Sequence, residues 1–286
     1  MVAPFSSPTA LKWWFAIELR RLRENSGISR EQAAAAVKGS FQNIGHMETG
    51  RTLPKPLELD RLLEIYGVPQ RAEFFQEMRL RAKRGRDWWV GYSGVMRPSF
   101  SLFLGLESSA VQIDSWDAQV VPGLFQTRAY AEALAGSSVP RAPAPERVEL
   151  RLARQREVLE RIDPPTVWSV LAESALRWLV GGAEVLRAQL EYLIALAGRP
   201  HVEIQVLPFS AGAHNGTGGT FTLLSAPPEL RNYPGCVYVE DLGGGRYYEE
   251  QEQVMAYRNA LTRIRIEATK PGEETVAYLH RLAKEL

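Results

Sequence analysis

The residues of this chain best suited to chemistry are four histidines, one cysteine and scattered carboxylates, and their spacing argues against most of it. His46, His201, His214 and His280 stand far apart, none at metal-ligand spacing with another. Cys236 is alone, which excludes an internal disulfide and a cysteine-based zinc site and fits a reducing compartment. The glycine runs Gly216–Gly219 and Gly243–Gly245 lack the strand–loop–helix layout of a phosphate cradle, and no Gly-Lys-Ser/Thr occurs. Ser225 has no nucleophile-elbow context. Glu107, Glu173 and Glu240 read as strand-end or cap residues rather than a carboxylate cluster. Trp116, Trp168, Trp178, Tyr233 and Tyr238 read as core rather than as a ligand pocket. The expectation is a protein that is not an enzyme and uses no metal or cofactor.

Charge is more informative when split. Residues 1–85 hold fourteen Lys and Arg against nine Asp and Glu, a net +5; the remainder is net −4, and the whole chain is +1. A basic first third on an acidic remainder is the asymmetry expected when only the first part meets phosphate.

Five short helices must carry that basic third. Leu11–Asn25 places Phe15, Ile17, Leu19 and Leu22 among Arg20, Arg21 and Arg23 and stops at Ser26-Gly27. Ser29, with Gln32 three residues on, has the spacing of a capping box for a compact helix ending at Val37. Gly39 breaks that helix, and Ser40 caps a third, Phe41–Glu48, which ends at Thr49-Gly50. Pro54 and Pro56 open a fourth helix and Gly67-Val68-Pro69 ends it. A fifth spans Gln70–Arg84.

The stretch Ile28–Arg51, two short helices around a tight turn with a Glu-x-Gly-Arg exit, resembles the helix-turn-helix of phage-repressor-like regulators, the XRE family. The resemblance makes Ser29–Val37 the first helix of the motif and Ser40–Glu48 the recognition helix. It makes Arg23 and Glu48 a structural ion pair and Ala34, Ile44 and Met47 packing residues. The chain departs from the family at the turn, where Lys38 stands in the place the family often gives to glycine and Gly39 comes one residue later.

A recognition helix in the major groove presents its first turn, and the residue one turn later, to base edges. Here those are Phe41, Gln42 and His46, with Asn43 beside them. Gln42 can bond adenine through N6 and N7, Phe41 can meet a thymine methyl, and His46 can donate to guanine. Arg30, Gln32, Ser40, Thr49 and Arg51 are placed for phosphates, contacts that position a protein without reading sequence. One such helix makes few base contacts, so a homodimer on two half-sites of double-stranded DNA is expected.

Beyond Gly85–Pro98, a Gly- and aromatic-rich stretch read as a linker, the pattern mixes helices and strands. Helices are expected at Ser99–Gln112, Gln126–Leu134, Pro145–Ile162, Glu173–Leu179 and Glu184–Ala197, and as a terminal pair at Glu249–Glu267 and Glu273–Leu286. Strands are expected at Ser115–Val121, Thr166–Leu171, Val202–Leu207, Thr220–Leu224 and Val237–Glu240. Segments such as Val121-Pro122-Gly123-Leu124-Phe125-Gln126-Thr127, Arg151-x-x-Arg154-Gln155 and Val237-Tyr238-Val239-Glu240 resemble the C-terminal domain of actinobacterial XRE-type regulators of the WhiJ-like, antitoxin-like group. That resemblance implies a domain without a settled function and a small partner protein encoded nearby.

The expected architecture is α+β: an all-α five-helix helix-turn-helix domain over residues 1–84, a linker over 85–98, and a larger mixed α/β regulatory and dimerisation domain over 99–286. The expected function is that of a cytoplasmic, sequence-specific transcription regulator, repressor or activator, that binds an inverted repeat as a homodimer and is modulated through its C-terminal domain by a small-molecule effector or a protein. The alternative is an antitoxin-like interaction module that sequesters a small partner protein and autoregulates its operon. No apolar run of about 18 residues implies a membrane span, and Met1–Thr9 lacks a secretory layout.

Overall fold

Helix α1, Pro8–Asn25, begins three residues earlier than its apolar pattern indicates, because Ser7 caps it and Pro8 occupies its first position. Ser7 Oγ accepts from the Ala10 amide at 3.2 Å and donates to Asp87 at 2.7 Å, and Thr9 donates to the other Asp87 oxygen at 2.6 Å. A computed structural model describes residues 7–137, 144–227 and 233–286, and the chain forms two units, 1–90 and 91–286.

The first unit is all helical. After α1 come α2 (Arg30–Ala36), α3 (Phe41–Met47), α4 (Pro56–Ile65) and α5 (Ala72–Arg84). The helix expected from Gln70 begins as a 3-10 turn, Pro69–Arg71, and becomes α-helical only at Ala72. Leu11, Phe15 and Leu19 of α1, Leu59, Leu62 and Leu63 of α4 and Phe75 of α5 are fully or almost fully buried, and the Phe15 and Phe75 rings meet edge-to-face at 5.4 Å. Residues 85–98 contain a further 3-10 segment, Trp88–Tyr92, with Trp89 buried.

The second unit is built on a six-stranded mixed sheet. Its strands are β1 (Gln112–Asp117), β2 (Thr166–Ala172), β3 (Val202–Leu207), β4 (Phe221–Ser225), β5 (Cys236–Asp241) and β6 (Gly244–Tyr248), in the order β3-β2-β1-β4-β5-β6. β1, β2 and β3 run parallel, and β4, β5 and β6 continue antiparallel. Their helices are α6 (Pro98–Ser109), α7 (Arg128–Ser137), α8 (Ala144–Leu159), α9 (Glu173–Arg177), α10 (Ala183–Ala197), α11 (Gln251–Glu267) and α12 (Glu273–Lys284).

Alternation along the strands sends Trp116, Val170, Phe221, Leu223 and Val237 to one face, where they pack with Val254, Leu261 and Ile264 of α11. Cys236 is buried on β5, its thiol donating to the Val237 carbonyl at 3.7 Å.

Three expectations for this unit are corrected. β1 lies three residues earlier than Ser115–Val121, because the polar residues Asp114, Ser115 and Asp117 are strand residues satisfied by distant partners. α7 starts at Arg128 rather than Gln126, since Thr127 Oγ1 accepts from the Tyr130 amide at its entry. β6 was not expected at all. The glycine runs have structural roles: Gly243 and Gly244 donate to Asp241 Oδ1 in the β5–β6 turn, with Gly244 at φ +133°. Gly216 lies so close under the Trp116 indole that a Cβ there would stand 2.5 Å from the ring, and its carbonyl accepts from Trp116 Nε1.

Candidate nucleic-acid interface

The turn between α2 and α3 is set by short-range hydrogen bonds that the sequence announces. Ser29 Oγ accepts from the Gln32 amide at 3.2 Å while Gln32 Oε1 accepts from the Ser29 amide at 2.8 Å, a complete capping box. Ser40 Oγ accepts from the Asn43 amide at 3.1 Å and so opens α3. Between them Lys38 takes φ +52°, the left-handed conformation that glycine adopts without cost. The turn is made although glycine is displaced from this position: Lys38 itself bends the chain, and Gly39 follows.

α3 divides cleanly. Ile44 and Met47 are buried under it, whereas Ser40, Phe41 and Gln42 are exposed at its start and Asn43 and His46 are half-buried along it. Phe41 keeps half of its surface in solvent, an unfavourable place for a phenyl ring unless something covers it. The Arg30 guanidinium lies over that ring, 5.7 Å from its centre. Among the described residues, Gln42, His46 and Arg51 have no side-chain hydrogen-bond partner. Thr49 spends its hydroxyl proton on the Gly45 carbonyl at 2.9 Å, leaving only lone pairs outward.

Behind the helix one carboxylate holds two arginines. Glu48, the C-cap of α3, has a wholly buried side chain; it accepts from Arg23 Nε at 2.5 Å and from Arg30 Nε at 2.8 Å. Arg23 also donates to the Ile28 carbonyl at 3.0 Å, tying α1 to the start of the motif. The hydrogen bond and charge of Glu48 hold the Arg23 guanidinium above its ordinary range. Tyr66, packed nearby, has its hydroxyl pushed up by burial and then by the Glu48 charge. The Arg23–Glu48 link was legible from the resemblance; Arg30 as the second partner was not, since nothing in its sequence context distinguishes a cation facing solvent from one facing Glu48.

The second unit has a polar centre that sequence reading did not find. The irregular segment Val121–Thr127 is secured by buried amides. Gln126 Nε2 donates to the Val121 carbonyl (2.6 Å), Gln155 Nε2 to the carbonyls of Gly123 and Gln126 (both 2.8 Å), and Gln189 Nε2 to that of Phe125 (2.6 Å). These bonds satisfy backbone groups that have no strand or helix to join. Beside them Arg154 grips Glu107 through two bonds of 2.6 Å each.

At the end of β1, Ser115 and Ser169 both approach Asp117 Oδ2, at 2.6 and 2.9 Å, and each other at 2.8 Å. Both hydroxyls are directed at that one carboxylate oxygen. Burial raises the Asp117 carboxyl to about 6, against the lowering effect of the two serines and of Arg154. A cavity of about 30 Å³ lies alongside, lined by Glu107, Ser115, Arg154 and Ser169 with Pro122 and Leu124.

The carboxylates weighed as a cluster have separate partners. Glu173 opens α9 and accepts from the Phe209 amide (2.8 Å), the Tyr278 hydroxyl (2.6 Å) and Arg177 (2.6 Å), while Glu240 is exposed on β5. Trp116 and Tyr238 are buried, but Trp178 is 65 % exposed. Among the described residues, no group of three or more His, Cys, Asp or Glu is placed to hold a metal ion, and no helix is long and apolar enough to cross a membrane.

Comparison with known proteins agrees with this division. A model described as a helix-turn-helix domain matches residues 14–74, which contain α2, the turn and α3. A second, described as a domain of unknown function (DUF5753), matches residues 100–281, nearly the whole of the second unit. No curated protein and no solved structure matches the chain. The helix-turn-helix points to DNA binding and to transcription regulation.

Proposed function

The chain belongs to the DUF5753 family, and we propose that it is a sequence-specific transcription regulator that reads an inverted repeat as a homodimer and receives its signal through the DUF5753 domain. One observation carries the reading: the first turn of α3 exposes Phe41 and an unpartnered Gln42 amide, while Arg23, Glu48 and Arg30 brace the helix from behind. A helix held so firmly on its inner side, yet presenting donor, acceptor and apolar groups outward, is suited to a major groove.

Phe41, Gln42, Asn43 and His46 take the base edges. Gln32, Ser40, Thr49 and Arg51 take phosphates, Thr49 only as an acceptor through a bridging water or by rotating its hydroxyl away from Gly45. Arg30 has a divided role: its guanidinium is engaged with Glu48 and covers Phe41, so any phosphate it meets shares it with that carboxylate. Arg51 is the less encumbered cation. The homodimer follows from the economy of α3, seven residues long, since two half-sites about one DNA turn apart supply the affinity that one lacks. The second unit acts as a WhiJ-like sensory and dimerisation domain rather than as an enzyme, and an effector bound there changes DNA affinity by its preference for one dimer geometry, about 1–3 kcal/mol.

Selection of a random DNA pool with the purified protein, read by sequencing beside Gln42→Ala, tests the reading. The expected result is an enriched palindrome whose half-sites blur at one position in the variant. Failure to enrich any sequence would overturn it and favour the helix-turn-helix as a surface for a protein partner of the antitoxin-like kind.

A further inference from the structure

One dipeptide of the chain carries chemistry that needs no second molecule but water. Asn215-Gly216 is the only Asn-Gly pair in the sequence. The Gly216 nitrogen, with no side chain beside it, is open to attack the Asn215 side-chain carbonyl carbon, Cγ. The N–C bond forms, the Gly216 amide proton departs with the side-chain amide as ammonia, and a cyclic succinimide closes. Water then opens either of its carbonyls and leaves aspartate or isoaspartate. Asparagine counts among the thermolabile residues of proteins for this kind of reason.

The fold takes hold of both backbone groups of this glycine. Asn215 is exposed, whereas Gly216 is buried under the Trp116 indole. The Gly216 amide donates to His214 Nδ1 at 3.0 Å. Its carbonyl accepts from Trp116 Nε1 at 2.9 Å and from the Gly219 amide at 3.3 Å. The His214 ring stands edge-on to the Trp116 ring, with centres 5.2 Å apart. Trp116 is itself wholly buried in the core under α11, so the loop is moored to that core.

The direction of the Gly216 N–H decides its reactivity. The succinimide nitrogen is planar, and Cγ takes the place that the proton holds in the open chain. In the folded protein that place faces His214 Nδ1. The ring cannot close while this hydrogen bond stands. The nitrogen must first turn away from the imidazole, and that movement draws Gly216 from under the indole.

We propose that Asn215-Gly216 is a latent self-modification site, kept unreacted by His214 and exposed to reaction only when the 212–219 loop lifts from Trp116. The product is permanent. Aspartate sets a carboxylate next to His214, and isoaspartate lengthens the main chain by one atom just ahead of Gly216. The site is thus a one-way record of the opening of this loop, whether or not the protein is bound to DNA.

The test follows isoaspartate at position 215 of the full-length protein in warm, mildly alkaline buffer, by peptide mass mapping and enzymatic methyl transfer. Native wild type is expected to react roughly tenfold or more slowly than the same chain in urea, the protection of a moored loop. His214→Phe keeps an aromatic ring against Trp116 and removes the acceptor. It is expected to react about two- to tenfold faster than wild type, the worth of one hydrogen bond, at an unchanged melting temperature. His214→Asn gives up the ring but keeps an oxygen that accepts from the amide two residues on, and stays near the wild-type rate. A native rate equal to that in urea overturns the proposal, as does a His214→Phe protein no faster than wild type. A slower one makes His214 the base of the reaction instead of its guard. His214→Asn as fast as His214→Phe assigns the protection to ring packing and overturns the part given to the hydrogen bond.

Discussion

Arg23 on α1 and Glu48 at the end of α3 meet at 2.5 Å with the carboxylate wholly buried, and that one contact fixes how the recognition helix sits on its scaffold. Replacing Glu48 by Gln keeps the shape but leaves Arg23 and Arg30 without their shared counter-charge. The expected loss is about 1–3 kcal/mol of stability, measured by urea unfolding, because the buried Arg23 guanidinium keeps only the largely exposed Glu24, 3.1 Å away, as counter-charge. Replacing both members, Arg23→Met with Glu48→Leu, recovers most of it. A Glu48→Gln variant within about 0.5 kcal/mol of wild type, the scatter of ordinary surface substitutions, shows that water already reaches the pair.

Lys38 at φ +52° offers the opposite opportunity. A left-handed conformation costs a non-glycine residue about 1–2 kcal/mol, partly returned by the lower unfolded-state entropy of lysine. Lys38→Gly is expected to gain about 0.5–1 kcal/mol, seen as a higher urea midpoint at unchanged slope. A fall in midpoint assigns the lysine side chain a stabilising contact of its own.

Burial of the Asp117 carboxyl sets a pH dependence. Its carboxyl titrates near 6 in the folded protein and at about 3.8 when unfolded, so the folded state holds the proton more tightly. Stability from this group is complete below about pH 4 and declines as pH rises through 6, by at most about 3 kcal/mol. Asp117→Asn cannot ionise and should lack that decline. Unfolding curves for both proteins at pH 4.5 and 7.5 give the comparison; an equal difference at the two pH values means that Asp117 stays ionised throughout.

Base and phosphate contacts separate by their salt and sequence signatures. Gln42→Ala is expected to lose about 1–3 kcal/mol on the selected operator and almost nothing on random DNA. Arg51→Ala weakens both and lowers the salt slope by about one. Fluorescence anisotropy with the two DNAs at several salt concentrations checks both, and equal losses for Gln42→Ala on both DNAs remove that residue from base reading.

How much of this was legible depended on the range of the interactions. Ser29 with Gln32, and Ser40 with Asn43, lie three residues apart, so the two helix starts of the motif could be placed from the chain alone. The start of β1 could not: Gln112, Ile113 and Asp114 precede the expected strand at Ser115, and Asp114 finds its partner only in Arg265, 151 residues on. β6 escaped because Gly244-Gly245-Arg246 has little strand propensity and gains its order by pairing with β5.

The lone cysteine gives the molecule a practical property. Cys236 is 1 % exposed and burial pushes its thiol up to about 12, so hardly any thiolate exists at neutral pH to attack a maleimide or a disulfide reagent. A second cysteine introduced on an open surface, at Leu57 or Ile162 for example, would be the sole reactive handle on the folded protein. Spin labels or fluorophores can then be placed one at a time in an otherwise native background, and each unit can be watched separately as DNA is added.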